Sequence, residues 1–361
     1  MGNKIVRGRR WMALALLAIG LFADVPAAST QPNPTANPPF ISAIWYTSDD
    51  PGHYASPLVP GDLQFLKSRL CPSHILVKVF VAQAEKASVD PKTDPRFTAP
   101  DDTLRQLISA VHRAGMGVVL LPVLFVEDGT WEGDILPANL DQWFASWEAL
   151  LLHYANLMEE TGGEILLLGS ELVTLRDHHD YWLRLIEKVR QHYAGLLSYS
   201  ANWWYDSNFY RSILEMKQWE ALDYIGVTAY FEMTDQQDPT VDELEGAWRR
   251  NRHRRNVLAD LESMSIRYGN KPVVFWEFGY QSKNGANIEP WNFFLDAESD
   301  PQEQADAFEA YFNAFSPMPW WRGQGVFAEQ VGLPIDIFGY SILDKPAETV
   351  IAQHACAQKS P

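Results

Sequence analysis

Glu171 closes the apolar run Ile165-Leu166-Leu167-Leu168-Gly169-Ser170, and Glu277 closes a second one, Pro272-Val273-Val274-Phe275-Trp276. Runs of this kind, bounded by Gly and Pro, read as buried parallel strands. A carboxylate at the C-terminal end of such a strand stands where α/β enzymes carry their chemistry. Two of them facing one pocket can divide acid–base work. One stays protonated to donate to a leaving oxygen; the other stays ionised to attack carbon or to activate water. That is the chemistry of glycosidic-bond cleavage, in which carboxyls about 5–5.5 Å apart retain anomeric configuration and carboxyls about 6.5–9.5 Å apart invert it.

Other side chains fit the same pocket. Tyr230 ends the run Gly226-Val227-Thr228-Ala229, and its hydroxyl can bond and orient the Glu277 carboxylate if the two strands are neighbours. Trp45 and Tyr46 end the first apolar run, Trp131 follows the third, and Asn202, Trp203, Trp204 and Tyr205 follow the fifth. Aromatic faces pack on the C–H face of a pyranose while neighbouring polar groups such as Asn202 and Ser170 meet its hydroxyls. Trp276 and Tyr280 flank Glu277 and join this candidate sugar-binding set. Read one at a time, each aromatic is as well explained by packing; the group together points to a cleft. Lys78 lies inside the run Leu76-Val77-Lys78-Val79-Phe80, where a lysine must either pair with a carboxylate or reach a ligand.

Several chemistries are disfavoured. The cluster Arg176-Asp177-His178-His179-Asp180 places its histidines side by side, so they point apart, and no HExxH spacing occurs. No nucleophile elbow or phosphate-binding loop is present. The expected chemistry needs neither metal nor organic cofactor. The formal charge of −17 repels a phosphate backbone, so nucleic acid is a poor partner, whereas a neutral polysaccharide or oligosaccharide meets no such penalty. The basic run from Arg249 to Arg255 reads as an exposed helix face near Glu243 and Glu245.

Positioning these groups requires a regular scaffold, and the chain supplies one. Strands are predicted over Ile41–Tyr46, Ile75–Val81, Val118–Leu124, Ile165–Leu168, Leu196–Ala201, Tyr224–Ala229, Val273–Trp276 and Gly325–Ala328. Amphipathic stretches with a 3.6-residue period intervene, over Asp101–Ala114, Leu140–Glu160, Tyr181–Tyr193 and Pro301–Phe315, with Asp101 or Asp102 placed to cap the first. Strand–helix alternation repeated eight times predicts an α/β fold, a (β/α)₈ TIM barrel in a single domain.

Lys4, Arg7, Arg9 and Arg10 precede an apolar stretch, Trp11–Ala23, and a small-residue tail to Ser29. This predicts a cleaved signal peptide over residues 1–29, a disordered linker over 30–39 and the barrel over 40–361, in a periplasmic or secreted protein free of the membrane after cleavage. Cys71 and Cys356 are expected to form a disulfide in an oxidising compartment, pinning the C-terminal tail. The chain is read as a monomer.

In the segments Leu168-Gly169-Ser170-Glu171-Leu172, Tyr224–Phe231 and Lys271–Ser282, and in Lys345-Pro346-Ala347-Glu348 near the end, the sequence resembles glycoside hydrolase family 113, of the large clan A of (β/α)₈ retaining glycosidases. The resemblance implies a retaining double displacement on β-1,4-mannan or manno-oligosaccharides, with Glu171 as acid/base, Glu277 as nucleophile and Tyr230 as its partner. Clan members commonly have Asn before the acid/base, where Ser170 stands here, and a Trp at the end of strand eight, where Gly325-Val326-Phe327-Ala328 has none. These departures admit two alternatives: a glycan-binding protein with weak or lost catalysis, and a transglycosylase on another β-glucan.

Overall fold

The computed structural model describes residues 38–333, 336 and 338–357. The segment 1–29, read above as a signal peptide, and most of the 30–39 linker lie outside the described residues. The strands are β1 (Ile41–Thr47), β2 (His74–Gln83), β3 (Gly117–Val126), β4 (Ile165–Ser170), β5 (Leu196–Ala201), β6 (Ile225–Thr228), β7 (Val273–Phe278) and β8 (Trp321–Gln330). All neighbours pair in parallel, in chain order, and β8 closes on β1 from Ile41↔Gly323 to Thr47↔Gln330. The helices are α1 (Val59–Leu70), α2 (Asp101–Arg113), α3 (Leu140–Thr161), α4 (His179–Arg190), α5 (Ser207–Leu214), α6 (Val241–Ala247), α7 (Val257–Arg267), α8 (Pro301–Phe315) and α9 (Pro346–Ala357). The result is a (β/α)₈ TIM barrel in one domain.

The strands read as unbroken apolar runs because each is buried on both faces. In β4, Ile165 and Leu167 point into the barrel while Leu166 and Leu168 meet the helices. The interior is filled chiefly by Ile41, Trp45, Leu76, Leu121, Tyr224 and Trp276. Gly226 makes room for this filling. A Cβ there would sit 2.2 Å from Cδ1 of Trp276, so only glycine lets the indole lie against β6. The Trp276 indole N–H then donates to Ser198 Oγ at 2.7 Å. Trp276 is therefore the barrel's floor rather than part of a sugar-binding surface.

Details of the sequence reading are corrected. Strand β8 starts at Trp321, so that residue belongs to the strand instead of preceding it. Pro100 is the N-cap of α2, and no side chain caps that helix. Asp101 and Asp102 instead occupy its first turn, where their charges complement the helix dipole. The basic segment between α6 and α7 is a turn rather than a helix face, with Arg254 at φ 61°. Its arginines pair locally: Arg252 with Asp235 at 3.1 Å, and Arg255 with Asp260. Cys71, at the end of α1, and Cys356, in α9, form a disulfide across 285 residues of sequence.

Candidate active site

Glu171 is the first residue past the C-terminal end of β4. Its φ of 52° is left-handed, and Gly169 two residues earlier has φ 151°. A left-handed conformation costs a non-glycine residue about 1–3 kcal/mol, which the surroundings must hold in place. They do so through the Glu171 amide, which donates to the Ser200 carbonyl at 2.9 Å. The strand end is thus kinked, and the carboxyl turns over the barrel mouth. Oε1 lies 2.6 Å from Thr228 Oγ1, and Oε2 accepts from the Trp131 indole at 3.3 Å.

Glu277 is the penultimate residue of β7, beside Thr228 in the β6–β7 register. The Tyr230 hydroxyl donates to Glu277 Oε1 at 2.8 Å. Thr228 therefore connects the pair, adjacent to one glutamate along the sheet and touching the other through its hydroxyl. Both residues are half-buried at the barrel mouth. Burial first, and then the charge of Glu171, pushes the Glu277 carboxyl up to about 8, against the pull of Tyr230 and Lys78. Burial likewise raises Glu171, against hydrogen bonds from Thr228, Trp131 and Asn202. Glu132, in the turn after β3, is raised to about 8 by burial and then by the charges of Glu171 and Glu277. A cluster of this kind holds protons at neutral pH because neighbouring buried carboxylates cannot all ionise.

The hydrogen-bond partners of the two glutamates differ. A tyrosine hydroxyl has one hydrogen and gives it to Glu277, which favours the ionised form there. Thr228 Oγ1 also has one hydrogen, and the Ala201 carbonyl lies 3.1 Å from it. Glu277 thus has a tyrosine hydroxyl as donor, while Glu171 has Thr228 on one oxygen and the Trp131 indole on the other.

The pair opens into a cleft of about 690 Å³ whose lining is mainly aromatic. Asn202, Trp203 and Tyr230 line it with the two glutamates. The Asn202 amide Nδ2 is buried and makes no hydrogen bond of good geometry, although it lies near enough to lower Glu171. Lys78 pairs with Asp49 at 2.6 Å and lines a separate recess of about 30 Å³ beside Phe327 and Tyr340.

Other candidates sit elsewhere. Trp45 is buried beneath the mouth, donating to the Trp276 carbonyl at 2.7 Å with its ring against Phe327. Trp204 faces the helix layer and donates to Asp260 at 2.9 Å. Tyr280 packs on Phe278 and Phe308, outside the barrel wall. Ser170 is buried and is not among the residues lining the cleft. Trp276 continues the inward alternation of Val274, and β7 pairs irregularly with both neighbours around Glu277; Trp204 lies in the loop after β5.

Sequence reasoning passed over Thr228, Glu232, Trp291, Phe327 and Tyr340. Thr228 sits within a strand and carries no signal of its own. Glu232 lies two residues past Tyr230, a spacing that shares a face in an extended chain, and this was the available clue. Trp291 and Tyr340 come from long loops, after β7 and β8, whose path no periodicity reveals.

A family model described as Glycoside Hydrolase Family 113 matches residues 44–331. Among solved structures, a GH113 β-1,4-mannanase superimposes with TM-score 0.76 at 25% identity, over 89% of this chain and 100% of that one. The GH113 β-mannanase AaManA from Alicyclobacillus acidocaldarius, in complex with ManMIm, gives TM-score 0.76 at 24% identity over 89% of this chain and 99% of that one. A GH5_18 protein from Streptomyces cattleya, in complex with Manβ1-4GlcNAc, shares the fold at TM-score 0.56 and 14% identity, over 90% of this chain and 82% of that one. No curated protein matches the chain in sequence.

Proposed function

The chain belongs to glycoside hydrolase family 113, and from that premise we propose that it is an exported retaining β-glycosidase acting on β-1,4-mannan or manno-oligosaccharides. The observation that carries the reading is the carboxyl pair at the barrel mouth: Glu277 held by the Tyr230 hydroxyl at 2.8 Å, and Glu171 held by Thr228 at 2.6 Å, the residue beside Glu277 in the sheet. In the first step a Glu277 carboxylate oxygen bonds to the anomeric carbon as the glycosidic C–O bond breaks. Glu171 gives its proton to the departing oxygen. In the second step Glu171, now a carboxylate, takes a proton from water, and the hydroxyl displaces Glu277 from carbon. The two inversions restore the starting configuration.

The cleft supports a neutral sugar chain. Its aromatic lining suits pyranose faces, while Glu171, Glu232 and Glu277 in the same lining repel an anionic glycan. Mannan is favoured because the GH113 structure at 25% identity is described as a β-1,4-mannanase. Export is supported by the basic and apolar pattern of residues 4–23 and by the disulfide, which suits an oxidising compartment.

The test is sugar release from mannan, glucomannan, cellulose and β-1,3-glucan by the wild type and by Glu171→Ala and Glu277→Ala. Mannan and glucomannan are expected to be cleaved, with turnover abolished in Glu277→Ala. Preference for cellulose or β-1,3-glucan overturns the mannan assignment. Tight glycan binding without turnover by the wild type overturns the hydrolase assignment.

A further inference from the structure

We propose that Glu232 and Trp291 form a subsite for a sugar of the leaving group, with the Trp291 ring as platform and Glu232 as the residue that positions it. The inference rests on the glycosidase reading for the identity of the ligand. Trp291 is 40% exposed and lines the cleft, an unfavourable placement for an indole that has no partner to cover it. It is nevertheless firmly placed. Its N–H donates to Glu232 Oε1 at 2.9 Å. The preceding carbonyl, of Pro290, accepts from the Tyr340 hydroxyl at 2.5 Å, and that of Ile288 accepts from Arg252 at 2.9 Å. Glu232 is fixed in turn from its far side by His253.

The same device occurs at the other wall. Trp131, 41% exposed, gives its N–H to Glu171 and also lines the cleft. In both cases a cleft carboxylate satisfies the polar edge of the indole, and about two fifths of the residue's surface stays open. A pyranose ring offers the C–H face that such a surface lacks.

The direction follows from where room exists. Among the described residues, the recess around Asp49, Lys78 and Gln330, beside β1, β2 and β8, holds about 30 Å³. A water needs roughly 10–15 Å³ by a comparable measure, so that recess admits a few waters but no further sugar. The large cleft runs from Trp131 after β3 round to Phe327 in β8, and between them it is lined by Trp203 and Tyr205 after β5 and Glu232 after β6. Glu171 reaches from the end of β4 to within 2.6 Å of Thr228 at the end of β6, the strand that Glu232 follows, and its proton must reach the leaving oxygen. A sugar beyond that oxygen therefore lies toward Trp291.

Three substrates separate this assignment from a structural role: an aryl β-mannoside, an aryl β-mannobioside and mannotetraose. Trp291→Ala is expected to lower the ratio of kcat/KM on mannotetraose to that on the aryl mannoside by about tenfold. Glu232→Ala should lower it less, and Trp291→Tyr should restore most of it. The ratio of aryl mannobioside to aryl mannoside, which reports the other side of the bond, should hold. A mannotetraose ratio within twofold of wild type, or a fall in the mannobioside ratio instead, overturns the subsite. Calorimetric titration of mannotetraose into Glu277→Ala, with and without Trp291→Ala, separates the two levels of the reading. Binding that needs Trp291 in a protein whose wild type turns over no substrate keeps the subsite and removes the hydrolase. Binding indifferent to Trp291 removes the subsite.

Discussion

Replacing Tyr230 by Phe removes one oxygen atom and leaves the ring. That ring is 5.8 Å from Trp203 and 6.3 Å from Tyr340, so the packing is retained. The lost contact is the 2.8 Å hydrogen bond to Glu277 Oε1. A hydrogen bond to a charged group contributes about 1.5–3 kcal/mol, and each 1.4 kcal/mol is tenfold, so kcat/KM should fall by roughly 10- to 150-fold. The pH profile should move as well. Burial and Glu171 push Glu277 up to about 8 while Tyr230 pulls it down, so losing Tyr230 raises it further. Attack needs the ionised form. The acid limb of kcat/KM against pH should therefore shift to higher pH, and the loss of activity should be greatest on the acid side. The assay is hydrolysis of an aryl β-mannoside from pH 4 to 10, with circular dichroism to verify folding. A folded variant with a loss below threefold and an unmoved acid limb would falsify the pairing of Tyr230 with a working carboxylate.

Glu171→Ala should slow the cleavage of mannotetraose far more than that of an activated aryl mannoside, since a good leaving group needs little protonation. Added azide should speed only the aryl reaction; equal losses on both substrates contradict an acid role. Glu277→Gln should alter stability with a defined sign. The folded-state carboxyl is raised, so its contribution to stability is present below about 4.5 and is lost as pH rises through about 8. The Tm advantage of the Gln variant should therefore be small at pH 4 and grow to roughly 2 °C or more above pH 8; a constant advantage refutes this. Reducing Cys71–Cys356 should cost about 2–4 kcal/mol in a denaturant titration, because the bond closes most of the chain into one loop; an unchanged midpoint contradicts that role. Asp223→Asn, which breaks the buried pair with Arg190 at 2.5 Å, should cost about 3–5 kcal/mol in the same titration, and a loss below 1 kcal/mol would refute its structural importance.

The barrel was legible because its strands are buried on both faces and so announce themselves as apolar runs. Ile165–Leu168 and Val273–Trp276 could be placed to within two residues of β4 and β7. β2 and β3 run further than predicted, pairing from His74↔Gly117 to Gln83↔Val126; the backbone ladder of β2 continues through the polar His74 and Gln83. The two glutamates and Tyr230 were legible for the same reason: each closes such a run. What lies around them was not. Lys78 admitted a structural pair or a ligand contact, and only the fold brings Asp49 within 2.6 Å of it. Trp204 and Trp276 looked equivalent to Trp203 as neighbours of a strand end, but Trp204 turns to Asp260 in the helix layer and Trp276 to the barrel interior. Trp291 and Glu232 are 59 residues apart, and nothing local in either segment signals that their side chains meet.

Trapping the covalent intermediate tests the central assignment most directly. A 2-deoxy-2-fluoro-β-mannosyl fluoride keeps a good leaving group but slows release from the enzyme, because the fluorine destabilises the positive charge that develops at the anomeric carbon. Mass spectrometry of the trypsin-digested protein should show one fluoromannosyl group on the peptide Tyr268–Lys283, carried as an ester on Glu277. Loss of the label in Glu277→Ala is expected. A label on Glu171, or full turnover with inverted product and no adduct, would contradict the account.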